Sequence, residues 1–204
     1  MYEEAFQKLE KDEAEKILQV AAPFVDGVSF DLAHVTILRH ALSFYPDHVF
    51  YDIADFSAAK AIHRYVVMKD NVVTVLNWTN AVIYGLNKTA PITLSDENIG
   101  DYVRFFFSYV RGTEGKFTLA ENVDDVAWKD DPSPSSRKAM GNMIVPLTLL
   151  EAHDNGDYNL EGTITFKNAL FKAEIKVSSD GAVDITNQEL LLEDLPVLDD
   201  IFGQ

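Results

Sequence analysis

The last third of the chain constrains the fold most. Met143 to His153, Tyr158 to Lys167, Leu170 to Val177 and Ala182 to Thr186 each alternate or run apolar over strand-like lengths. Asn155-Gly156 and Asp180-Gly181 punctuate them. Asn-Gly and Asp-Gly adopt the positive φ angles that tight turns need. Strands joined by turns this short pair antiparallel, so this third is expected to be a meander.

The clearest helix precedes it, over Ser95 to Arg111. Ser95 suits an N-cap, Asp96 and Glu97 place anions at the positive end of the helix dipole, and Gly112 suits a terminator. Ile99, Tyr102, Val103, Phe106 and Val110 share one face, and Phe105 and Tyr109 widen it. A helix this aromatic has to be buried.

The first half is less regular. Residues 2–21 carry Phe6, Leu9, Ile17, Leu18 and Ala21 near helical spacing, with Pro23 as a stop. Val28, Phe30 and Leu32 alternate like a strand, but Val35, Leu38 and Leu42 space like a helix, and a helix is expected over 31–43. Short strands are expected at His48 to Ile53, Ile62 to Lys69, Val72 to Asn77 and Ala81 to Leu86, with Asp70-Asn71 as a hairpin turn. Lys116 to Glu121 reads as a strand, 122–142 as a long polar loop and 189–204 as an acidic-apolar tail. Segregated helices and strands without βαβ alternation predict an α+β protein with a predominantly antiparallel sheet. Neither side of the 122–142 loop looks self-sufficient, so one domain is expected over residues 1–204.

Thirteen Phe, 8 Tyr and 2 Trp supply enough apolar bulk for a core without disulfides or metal. No cysteine is present, which excludes disulfides and thiolate chemistry and fits a reducing compartment. The acidic, amphipathic start and the lack of a ~20-residue apolar run argue against secretion and membrane spanning, so a cytoplasmic location is expected. The net charge of −16, from 33 acidic and 17 basic residues, opposes binding to nucleic acid or anionic lipid. No basic residue follows Lys176.

No phosphate-loop, dinucleotide, nucleophile-elbow or zincin pattern occurs, so no cofactor, catalytic residue or metal site is assigned. His34, His40, His48, His63 and His153 include no pair at i,i+2 or i,i+4. His48 and His63 fall on neighbouring expected strands, with Asp52 and Asp55 close in sequence to His48, a combination that could make a two-His, one-carboxylate site or a His–Asp acid–base pair. Arg104 and Arg111, on the narrow polar stripe of the aromatic helix, need carboxylate partners or an anionic ligand, with Tyr102 and Tyr109 as hydroxyl donors. Trp128 stands in an acidic stretch suited to a basic, partly apolar groove, ahead of the Pro/Ser run 132–136. Leu195, Leu198, Ile201 and Phe202 would share one face of a short helix starting near Pro196.

Three readings follow. The leading one is a non-catalytic interaction or regulatory domain contacting a protein partner or a second copy of itself through Trp128 and the tail. The alternative is a small-molecule binder or enzyme with its pocket between the aromatic helix and the sheet. The third, resting on charge alone, is a DNA mimic or inhibitor of a basic protein.

Overall fold

The computed structural model describes residues 6–25 and 31–198. It is α+β: four helices and ten strands among these residues, the strands in two antiparallel five-stranded sheets. Backbone contacts divide the chain into two compact units. The first takes in 6–77, apart from the undescribed 26–30, and Ala81–Thr93; the second takes in Trp78–Asn80 and 94–198.

The first unit contains β1 (Gln7–Lys8), α1 (Lys11–Ala21), β2 (Val35–Ala41), β3 (Val49–Asp55), β4 (Ile62–Lys69), β5 (Val72–Val75) and, but for its first residue, α2 (Asn80–Thr89). Its sheet runs in sequence order, β1 to β5. The two-residue turn at Asp70-Asn71 joins β4 to β5, with Asp70 at φ 54°. One sheet face presents Ile37, Ile53, Val66 and Met68 to Ala14, Leu18 and Ala21 of α1. Asp12 and Glu13 lie in the first turn of α1, where the dipole favours anions, and a 3-10 turn carrying Pro23 ends it.

Three expectations fail here. The N-terminal helix starts at Lys11, because Gln7 and Lys8 pair with Arg39 and Leu38 as an edge strand. The helix expected over 31–43 is the strand β2, bonded along its length to β3. Ile37 is buried on one face and His40 on the other, and a strand covered on both faces loses the alternation that would identify it. Val28 and Phe30 lie outside the described residues. The strand expected at Ala81 to Leu86 is the helix α2, which buries Ile83, Leu86 and Asn87. A six-residue apolar run fits either structure, and tertiary packing decides between them.

The second unit contains α3 (Ile99–Tyr109), β6 (Phe117–Ala120), α4 (Pro134–Gly141), β7 (Thr148–Ala152), β8 (Tyr158–Phe166), β9 (Ala169–Val177) and β10 (Val183–Leu192). The expected meander is present as β8-β9-β10. β6 pairs with Thr163–Phe166 and β7 with Tyr158–Glu161, so the two share one side of β8. α3 lies against β6 and β7 and buries Ile99, Tyr102, Val103, Phe105, Phe106 and Phe107. It is shorter than expected. Asn98 is its N-cap, and Val110 turns extended, so the helix ends before Gly112. Gly112 instead bridges to Gly115, which sits at φ 140° in the turn leading to β6.

The 122–142 segment is more structured than expected. Asn122 and Asp125 cap a 3-10 turn reciprocally, and Ser133 caps α4 by accepting the Ser136 amide at 3.2 Å, with Pro134 opening the helix. A Pro/Ser run that reads as flexible is thus a helix start.

Among the described residues, no helix is long and apolar enough to cross a membrane.

Candidate functional site

In the first unit, Asp52 and His63 lie diagonally across β3 and β4, where the register sets Asp52 opposite Tyr65 and His63 opposite Ala54. Residues two apart on a strand share a face, so Asp52, His63 and Tyr65 point the same way. His63 Nδ1 is 2.8 Å from Asp52 Oδ1 and 3.1 Å from Oδ2. The His63 ring stacks on Tyr65 at 5.9 Å, and Tyr65 on Phe50 at 6.0 Å. The carboxylate holds the Nδ1 proton, which leaves Nε2 as the basic nitrogen. Burial pushes the Asp52 carboxyl up, and the hydrogen bond and charge of His63 work against that rise. His48 is not part of this pair. It precedes Val49, at the far end of β3 from Ala54, and its Nδ1 lies 2.9 Å from the Pro46 carbonyl.

Asp52 and His63 form a hydrogen-bonded pair on the sheet surface. Removing His63 should raise the Asp52 carboxyl further, because both contributions of the imidazole lower it. A raised carboxyl contributes stability that is full below its unfolded value of 3.8 and is lost as pH rises through the folded value. A carbon-13 titration of the carboxyl in His63→Phe, which keeps a ring beside Asp52 and so preserves its burial, should show that upward move. A downward move would mean that His63 does not face Asp52 in solution.

The other four pocket candidates are in the second unit, and each already has a structural partner. The Tyr102 hydroxyl, fully buried, donates to the Gly181 carbonyl at 2.6 Å. Tyr109 packs on Trp78 and Phe105. Arg111 lays its guanidinium over the Trp78 ring, 4.2 Å from the centroid. Arg104 makes a bidentate pair with Glu121, Nε to Oε2 and Nη2 to Oε1, both at 2.8 Å, and a third contact to Asp101 at 3.2 Å. The hydrogen bond to Glu121 holds Arg104 charged and pulls the Glu121 carboxyl below its ordinary value. A cleft of about 260 Å³ opens beside this pair, lined also by Phe107, Lys116 and Asp124. An anion binding the fork of Arg104 would have to displace Glu121 from it. Among the described residues, no group of three or more His, Asp or Glu side chains is placed to hold a metal ion.

Trp128 and the tail meet each other. Trp128 bridges to Val197, Lys129 N donates to Pro196 O at 2.9 Å, and Leu198 N donates to Ala127 O at 2.7 Å. Leu195 and Val197 are buried with Ala120, Val126, Met140 and Leu170, and the Trp128 indole, packed beside them, donates to Val123 O at 2.9 Å. The helix expected after Pro196 is extended chain as far as Leu198, whose side chain is exposed. Pro196 and its neighbours gain backbone bonds from the Trp128 strand that a single helical turn would not supply. Ile201 and Phe202 lie outside the described residues. Replacing Trp128 by Ala should speed hydrogen exchange of the Lys129 and Leu198 amides roughly tenfold, since the indole bond and its packing hold the bridge. Unchanged exchange would show that the backbone bonds suffice without the indole.

The feature the sequence reading missed is β10. The strand was expected to stop at Thr186, but it continues to Leu192. It is the terminal strand of its sheet, and no strand among the described residues pairs with its outer side. Thr186, Asn187, Gln188, Glu189 and Leu190 are all exposed. The available signal was a run from Val183 to Leu192 with no Gly or Pro and with polar side chains at consecutive positions, as an edge strand allows. No protein-family model matches the chain, and neither a curated protein nor a solved structure was found to match it.

Proposed function

We propose that this protein is a non-catalytic interaction module and that it engages its partner along the outer edge of β10. The observation that carries the reading is this ten-residue edge strand, exposed on both faces at its centre. An unpaired edge offers a row of backbone donors and acceptors to an added strand. The residues that would have served a small-molecule site, Arg104, Tyr102 and Arg111, have partners within their own unit. Trp128 and Leu195, the candidate partner contacts, are engaged in holding the tail in place.

The test compares chains captured by the wild-type protein, by an Asn187→Lys/Glu189→Lys variant and by His63→Ala. A partner retained by His63→Ala and lost by the β10 variant, which when purified slows exchange of the β10 amides, is the expected result. Capture that ignores the β10 substitutions would overturn the assignment.

A further inference from the structure

Resting on that interaction reading, we infer that the β10 edge accepts an extended, basic segment of another protein, with side chains alternating between cationic and apolar. The geometry limits where a strand can be added. Register shifts between Ile185 and Asn187 and between Leu190 and Leu192 put bulges at both ends of a regular stretch, Asn187 to Leu190, paired with Glu174 to Phe171. Bulges re-aim the backbone, so the added strand is aligned over this central stretch and leaves the edge at either side.

The charge decides the class of occupant. Asp184 and Glu189 lie on the strand and Glu193 directly after it, all exposed, with no basic residue beyond Lys176. Asp184 and Glu189 lie directly opposite Lys176 and Lys172 of β9. These lysines also pair with Asp157 at 3.0 Å and Glu161 at 2.8 Å, so each ammonium is shared and the edge keeps an acidic excess. Cross-strand pairs of opposite charge stabilise a sheet and like charges oppose it. A second copy of this chain, also at −16, would bring like charges together along the edge, so a basic partner fits and self-pairing does not. Leu190, 46% exposed and inside the regular stretch, gives an apolar position of the incoming strand something to cover.

The test uses the full-length protein and three blocked decapeptides: alternating Lys and Val, alternating Glu and Val, and a Lys peptide of equal charge interrupted by prolines. The Lys/Val peptide should slow amide exchange at 187–190 at least about fivefold, weaken with added salt, and lose its effect on Glu189→Lys. The Glu/Val peptide should have no effect, and the proline peptide much less than the Lys/Val one, because proline cannot donate to the ladder. Equal protection by the proline peptide would overturn strand addition in favour of simple charge attraction. No protection by any peptide, with a captured partner still dependent on β10, would overturn the basic-segment assignment and leave the interaction reading standing. No protection and no β10-dependent partner would overturn both, and the acids and bulges would then serve only to keep the edge unpaired.

Discussion

Replacing Tyr102 by Ala should lower the stability of the protein by about 4 kcal/mol, the cost of emptying a fully buried aromatic site and removing its hydrogen bond. The ring anchors α3, and its hydroxyl reaches the Gly181 carbonyl in the turn between β9 and β10. Gly181 sits at φ 80°, a conformation available to glycine at little cost, and the Tyr102 bond adds a link to α3 to a turn already closed by Gly181 N to Ser178 O at 2.7 Å and Ser178 N to Ala182 O at 2.9 Å. Tyr102→Phe separates the two contributions. It keeps the ring, deprives the carbonyl of its donor, and should cost about 1–2 kcal/mol. Chemical denaturation of both variants measures the difference. Should the Ala variant fail to fold, the Phe variant still decides the matter. A Phe variant as stable as wild type would mean that the Gly181 carbonyl finds water instead.

Arg104→Leu should cost about 2 kcal/mol. A fully buried charge left without its partner costs more, but the Arg104 and Glu121 side chains are 28% and 20% exposed, and solvent screens part of the loss. The dependence on acid is the sharper readout. The hydrogen bond from Arg104 draws the Glu121 carboxyl below its ordinary 4.5. A depressed carboxyl contributes stability that is fully present above the unfolded value and is lost as pH falls through the folded value. Wild-type protein should therefore lose this contribution below about pH 4.5, and both Arg104→Leu and Glu121→Gln should show a shallower slope over the same range. A double-mutant cycle that returns no coupling between the two positions would show that the bidentate geometry does not persist in solution.

The same pair bears on function. Arg104 was attractive as an anion-binding residue because it sits on the polar stripe of a buried helix. Its fork is matched to Glu121 instead, a geometry that a guanidinium satisfies with both parallel bonds at once. The Arg104→Leu variant is thus expected to alter stability and leave strand addition at β10 unchanged.

Local sequence determined the elements whose signals are redundant. The Asn155-Gly156 and Asp180-Gly181 turns adopt the expected positive φ at Gly156 and Gly181, β8 and β9 lie where periodicity placed them, and α3 falls inside its expected span. The Asp52–His63 pair was also legible, since two adjacent strands carried the residues. Tertiary structure decided the ambiguous pieces. β2 and α2 each carry short apolar runs that satisfy either helical or strand spacing, and neighbouring strands or the packing of Ile83 and Leu86 select the outcome. It also decided what the polar residues do. No spacing in the sequence announces that Arg104 meets Glu121, that Trp128 closes on Val197, or that β10 ends a sheet, because each depends on which distant strand lies alongside. Contacts over long sequence separations are set by the packing of the whole chain, and a one-dimensional pattern carries them only where the local signal happens to agree.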